Sequence, residues 1–192
     1  MLSRKGHLMG WVKHVNFARA AAIVALAASV GGCFQPLYGD RAATGGPGIQ
    51  TALQGIAVQN IAAANGTPES RIAVELRNDL MFAISGGHSP AVPSHELRVR
   101  MSSTRLSVIV DVTTARPDVE NYGINAYYEL LDLRTNKVVV RDQTFSRVSY
   151  DIPGQTQRFA RQRGLRDAEN RAAQVIAENI RNRLASYFVA GT

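Results

Sequence analysis

The sequence contains one residue whose type and position suggest a covalent modification, the thiol of Cys33. It is the single cysteine of the 192-residue chain, so an intrachain disulfide cannot form. Small and apolar residues occupy positions 20–32, just before it. A lone thiol at the end of such a run is a candidate for acylation.

The segment before this thiol has the pattern of a secretory signal. Four cations and no acid precede an apolar run at residues 20–30. The run is shorter than the roughly 20 apolar residues that a membrane-spanning helix needs. It leads into Val30-Gly31-Gly32-Cys33, which resembles a bacterial lipobox. We therefore expect residues 1–32 to be a cleaved signal peptide, and Cys33 to carry the acyl chains that anchor the protein to a membrane.

The basic composition comes partly from this leader. Residues 1–32 hold four of the 22 Lys and Arg residues and none of the 15 Asp and Glu residues, so the remainder has a net charge of +3 instead of +7. An exported protein with this modest charge is not expected to bind nucleic acid. Every remaining cation except Lys137 is an arginine. The planar donor fork of arginine suits phosphate and carboxylate groups.

The densest group of cations, which we call the basic stretch, consists of Arg158, Arg161, Arg163 and Arg166. These side chains repel one another unless anions face them, so the stretch is a candidate phosphate site. The alternative is that they are solvated or pair with acidic groups. Arg134 and Lys137, in a predicted hairpin turn, form a second and weaker candidate.

No arrangement in the sequence predicts catalysis, a metal site or a cofactor. His88 and His95 have no thiol or carboxylate pair near them at the spacing of metal ligands. The chain has no Gly-x-Ser-x-Gly motif. The glycines at 45–48 are not followed by the Lys-Ser or Lys-Thr of a phosphate-binding loop. We therefore predict that the protein is not an enzyme and uses no cofactor.

The chain after the leader is predicted to be a tether followed by one domain. Residues 33–54 include a stretch rich in Gly, Ala and Thr without an apolar period, which favours a lipidated, flexible tether. The domain is predicted at residues 55–190. It starts with a strand at 55–61, followed by a helix that Thr67 caps and that ends near Gly86.

Alternating apolar residues predict three more strands between residues 95 and 150. The apolar positions are odd in 97–101 but even in 106–112, which predicts a bulge or bend near residues 102–104. Apolar residues three or four apart predict a final helix over 168–188. The order β-α-β-β-β-α favours an α+β fold, a two-layer sandwich with two helices on one face of a four-stranded mixed sheet.

Motifs at the start and in the second half of the chain resemble one known family. They are Cys33-Phe34-Gln35-Pro36-Leu37-Tyr38-Gly39, Tyr127-Tyr128-Glu129-Leu130 with Asp132 and Thr135, Ser149-Tyr150-Asp151, and Asp167-Ala168-Glu169-Asn170-Arg171-Ala172. The first is similar to the usual mature start of alphaproteobacterial LptE proteins, Cys-Gly-Phe-Arg-Pro-Leu-Tyr-Gly. The others are similar to the third strand and last helix of that family of lipopolysaccharide-assembly lipoproteins.

This resemblance implies a non-enzymatic lipoprotein that plugs the outer-membrane β-barrel LptD and takes part in lipopolysaccharide transport and assembly. It implies an outer-membrane location, with the domain on the periplasmic side or inside the barrel lumen. The residue after Cys33 is not aspartate, as in lipoproteins sorted to the outer membrane. Lipopolysaccharide phosphates are then the expected ligands of the basic stretch and of Arg134 and Lys137. Further candidates on the predicted strands are Arg98, Arg100, Arg105, Arg141 and Arg147.

Two other functions remain open at this point. One is an auxiliary lipoprotein subunit of a different, ABC-type envelope lipid-transport system, with a lipid-facing groove and an inner-membrane partner. The other is a cell-wall hydrolase, which would need converging acid, base or nucleophilic residues that the sequence does not offer.

Overall fold

The computed structural model describes residues 48–90, 92–111, 116–152 and 158–190, and the side chains among them except those of 109–118 and 158. The predicted signal peptide, Cys33 and most of the predicted tether lie outside these residues. The described segments all belong to one compact unit of the chain, residues 40–192.

Three helices and four strands make up the described part of the chain. The helices are α1 (Ile49–Gln54), α2 (Pro68–Ser85) and α3 (Arg158–Ala190), and the strands are β1 (Ile56–Val58), β2 (His95–Asp111), β3 (Arg116–Asp132) and β4 (Lys137–Asp151). The strands form one sheet in the order β1-β2-β3-β4. The β1–β2 pair is parallel and the other two pairs are antiparallel. The predicted mixed four-stranded sheet with its two long helices is therefore confirmed.

Helix α2 begins and ends at the predicted signals. The Thr67 side chain accepts a hydrogen bond from the Ser70 amide, and Pro68 occupies the first turn, where its missing N–H is not needed. Gly86 ends the helix in the left-handed conformation with φ of 69°, which glycine adopts without strain. No helix among the described residues is both long enough and apolar enough to cross a membrane.

Helix α1 lies in the stretch that the sequence predicted to be a tether. Its Ile49 and Leu53 side chains, one helical turn apart, are 5% and 2% exposed. Packing of the domain therefore begins at least as early as residue 49, ahead of the predicted start at residue 55.

The hydrophobic core fills the space between the helices and one face of the sheet. Leu76 and Leu80 from α2 are buried there together with Ile176 and Leu184 from α3. The face of α3 that is buried in this core also carries Ala168, Ala172, Ala173, Ala177 and Ala185. These small side chains let α3 approach its neighbours closely. A narrow apolar stripe is therefore enough to pack this otherwise polar helix against the rest of the domain.

The predicted bulge near residues 102–104 is wrong. The β2–β3 register runs without a shift from His95 opposite Asp132 to Val108 opposite Val119, and the irregularity comes only after Val108. Leu106 and Val108 of β2 therefore point away from the helices, and they are 66% and 37% exposed. The change in parity marks apolar residues on the second face of a regular strand.

Candidate functional site

The cations that the sequence singled out lie at opposite ends of the sheet. Arg134 and Lys137 are exposed at the turn that leads into β4, whereas the basic stretch opens α3, which follows the other end of β4. Strand β4 has 15 residues. At roughly 3.3 Å per residue, the two groups are about 45 Å apart along the strand. They therefore cannot form one phosphate site.

Within the basic stretch, Arg161 forms an ion pair with an acidic residue of the same domain. Its Nη2 atom lies 2.9 Å from Oε1 of Glu120 on β3, a residue that is only 7% exposed. The Tyr150 hydroxyl donates a hydrogen bond to the same carboxylate, as does Ser107 Oγ at 3.3 Å. Arg163 and Arg166 are exposed, and the Arg158 side chain is outside the description. Arg161 thus helps to fix the start of α3 to the sheet.

The Glu120 carboxylate is kept charged by its partners. Burial by itself raises the pKa of Glu120, but hydrogen bonds from Tyr150 and Ser107 and the charge of Arg161 outweigh it, so the pKa lies below its usual value. Burial and this carboxylate raise the pKa of Tyr150 to about 12, so its hydroxyl stays protonated and continues to donate.

Replacing Glu120 by glutamine should destabilise the domain at neutral pH. We expect a loss of about 1 kcal/mol at pH 7, since half of the Arg161 side chain is exposed and its ion pair is screened. A lowered carboxyl pKa stabilises the fold above the unfolded-state value, and this contribution disappears as pH falls through the folded-state value. Urea unfolding should show that the difference in the free energy of unfolding between wild type and variant shrinks below about pH 4. A difference in the free energy of unfolding that is constant between pH 7 and pH 3 contradicts a stabilising charged carboxylate at Glu120.

A second buried carboxylate, Glu169 on α3, ties the two long helices to the sheet. It forms an ion pair with Arg71 of α2, and Arg105 of β2 lies 3.7 Å from its other oxygen. Glu69, in the first turn of α2, accepts a hydrogen bond of 2.9 Å from Ser103 of β2. Arg105, one of the candidate strand arginines, therefore lies on the helix side of the sheet, where it helps to hold α3 against β2.

The other strand arginines lie together on the opposite side of the sheet, which we call the open face. No helix among the described residues covers this face, and its large side chains Tyr127, Phe145 and Leu106 are 58%, 63% and 66% exposed. The strand register places its residues in successive rows across β2, β3 and β4: Arg98, Glu129, Arg141; Arg100, Tyr127, Gln143; Ser102, Asn125, Phe145; Thr104, Gly123, Arg147.

Charge on the open face is predominantly positive. A groove of about 310 Å³ lies among Arg98, Arg100, Tyr127, Glu129 and Arg141. Arg141 Nε is 2.9 Å from Glu129 Oε1, and Arg98 pairs with Glu96 on its own strand. Within the described part of the chain, no carboxylate pairs with Arg100 or Arg147. Guanidinium groups without an acidic partner can form charge-assisted hydrogen bonds to an external anion.

The open face was only partly visible in the sequence. The period-two pattern places Arg98 and Arg100 on one side of β2, but their partners on β3 and β4 come from registers that only the folded sheet defines. Among the described residues, no three His, Cys, Asp or Glu side chains are grouped as they would be around a metal ion. The arrangement can bind anionic groups, and it offers stacking surfaces on two aromatic rings.

Comparison with known proteins agrees with this architecture. Over residues 53–184, more than half of the chain, the sequence matches the family described as LptE, Lipopolysaccharide-assembly. No curated protein sequence matches the chain. A proposed lipoprotein from Caulobacter crescentus CB15 has a similar crystal structure, with a TM-score of 0.58 and 19% identity over 75% of this chain and 97% of that one. At that identity the likeness shows a shared fold.

A more distant structure is the rare lipoprotein B from Shewanella oneidensis, with a TM-score of 0.49, 14% identity, and coverage of 70% of this chain and 94% of that one. The family match extends from α1 into α3 and so includes every described strand. The chain therefore belongs to the LptE family of lipopolysaccharide-assembly lipoproteins.

Proposed function

We propose that this protein is an outer-membrane lipoprotein that lodges as a plug in the β-barrel LptD and takes part in delivering lipopolysaccharide to the outer membrane. The observation that carries the proposal is the family match over residues 53–184. The exposed cations outside the open face, at the start of α3 and at the turn before β4, support it, because large outer-membrane barrels have polar interiors that another element can fill.

Anchoring is assigned to Cys33. Cleavage before this residue and acylation of its sulfur and new amino group would give it more than one chain. One acyl chain binds a bilayer only marginally, whereas two or more hold a protein there stably. The anchored domain then stays close to a barrel in the same membrane, which raises its effective concentration there.

Contacts with lipopolysaccharide phosphates are assigned to exposed arginines. Arg100 and Arg147 on the open face are the strongest candidates, because no described carboxylate pairs with them. Arg163 and Arg166 at the start of α3, and Arg134 and Lys137 at the far turn, are also exposed and can meet lipid phosphates or acidic groups of the barrel wall. Arg161 contributes indirectly to the surface at the start of α3, because its ion pair with Glu120 holds that part of the helix on the sheet.

Co-purification tests the proposed partnership. The full-length chain, tagged after its last residue, is extracted from outer membranes in mild detergent, and the bound proteins are identified by mass spectrometry. We expect one large β-barrel protein to be recovered with the tag, and none from cells that carry the untagged chain. Recovery of inner-membrane transporter subunits in its place would instead support a different lipid-transport system.

A further inference from the structure

We propose that the open face recognises the phosphorylated sugar part of a glycolipid, and that it does so without its acyl chains. This inference rests on the proposed function and specifies which portion of lipopolysaccharide the domain contacts. The binding surface, which we call the platform, consists of Arg100, Asn125, Tyr127, Gln143, Phe145 and Arg147. Each of these residues lies on the same side of three adjacent strands.

The platform holds two cations at a defined separation. Arg100 lies opposite Tyr127, and Arg147 lies opposite Gly123, four residues further back along β3. Two such rows are about 13 Å apart along the strands. This spacing suits two anionic groups carried on one oligosaccharide better than a single phosphate. Arg98 and Arg141 flank the first row but already pair with Glu96 and Glu129.

Two aromatic side chains lie beside the cations, Tyr127 opposite Arg100 and Phe145 two residues before Arg147 on β4. Tyr127 is opposite Gln143, and Phe145 is opposite Asn125, so the two rings occupy diagonal positions about 7 to 8 Å apart. The electron-rich face of an aromatic ring attracts the weakly positive C–H groups of a sugar ring. The Arg147 guanidinium lies 5.6 Å from the centre of the Phe145 ring, which holds that ring in place.

Hydrogen-bonding groups and shape complete the match. The amides of Asn125 and Gln143 offer donors and acceptors to sugar hydroxyls. A Cβ atom at Gly123 would lie 2.8 Å from Thr104 Oγ1, so glycine leaves the surface flat between Thr104 and Arg147. An acyl chain gains most from an enclosed apolar surface, whereas these residues form an open one that would leave much of a bound chain in water.

Binding of three defined probes tests the inference. The probes are a fully deacylated, phosphorylated lipopolysaccharide oligosaccharide, the same oligosaccharide after removal of its phosphates, and micelles of short-chain phosphatidylglycerol. The protein is the full-length chain in zwitterionic detergent, and the dissociation constant is measured by calorimetry. We expect saturable binding of the first probe, at least tenfold weaker binding of the second, and no competition by the third.

Variants locate the binding surface. Arg100→Ala and Arg147→Ala should each raise the dissociation constant for the first probe by about tenfold, and Tyr127→Ala with Phe145→Ala by a similar factor. The matched control is Arg171→Ala, an exposed arginine on α3 that pairs with Asp167 away from the open face. It should change the constant by less than about twofold. Circular dichroism confirms that each variant is folded.

Three results would overturn the inference. They are equal binding of the dephosphorylated oligosaccharide, an equal loss of binding in Arg171→Ala, and platform variants that lose the barrel on co-purification while they keep the oligosaccharide. The last result would make the open face a contact with the barrel. If the wild-type chain brings down no barrel, the proposed function fails whatever the sugar-binding result is.

Discussion

Replacing Cys33 by serine should remove the protein from the outer membrane. The serine hydroxyl is not a substrate for acylation at this position, so the cleaved, anchored form would not be made. Fractionation and immunoblotting should find nearly all of the wild-type protein with the outer membrane and essentially none of the variant. Intact-mass measurement should show a wild-type chain that starts at residue 33 and is heavier than its sequence by the mass of its acyl chains.

A matched control separates loss of the thiol from damage to the leader. Ser29→Ala changes a residue four positions upstream in the same segment and keeps the thiol. It should be processed and localised as the wild type is. An unmodified thiol in wild-type protein, or outer-membrane localisation of the Cys33→Ser variant, is incompatible with the anchor.

Leu80→Ala in α2 should produce a large loss of folding stability. Leu80 has no exposed surface and packs into the core between the helices and the sheet. Truncating a fully buried leucine removes its transfer free energy and leaves a cavity, at a cost of about 2 to 5 kcal/mol. Chemical denaturation of the domain should show a lower midpoint with an unchanged slope.

The control for this change lies two residues further along the same helix. Phe82→Ala removes a larger side chain than Leu80→Ala does, but Phe82 is 75% exposed. We expect it to change the free energy of unfolding by no more than about 0.5 kcal/mol. Comparable losses in the two variants would show that α2 packs in a different orientation from the one described.

The sequence predicts the fold correctly where capping residues and apolar spacing agree with the tertiary packing. Thr67, Pro68 and Gly86 identify the two ends of α2 because capping depends on the nearest few residues. The spacing of Ile72, Leu76 and Leu80 identifies the buried side of that helix. Helix α1 was missed although Ile49 and Leu53 are four residues apart, because a single helical turn in a Gly- and Ala-rich stretch is a weak signal.

The open face shows why the sequence was less informative about the site. Alternation in β2 reveals two sides but does not say which of them the helices cover, so the apolar Leu106 and Val108 suggest a change of register that the folded sheet does not have there. The members of the basic stretch are close in sequence, which suggests a shared site. Its Arg161 in fact pairs with Glu120, which lies 41 positions earlier. Such pairings depend on tertiary structure.

The central claim is that this lipoprotein works in a complex with an outer-membrane barrel. Native mass spectrometry of the tagged chain, extracted from outer membranes and kept in mild detergent, measures that complex directly. The predicted result is one assembly that contains one acylated copy of this chain and one large β-barrel. A spectrum that shows only the lone chain, or the chain bound to subunits of an inner-membrane transporter, would contradict the account.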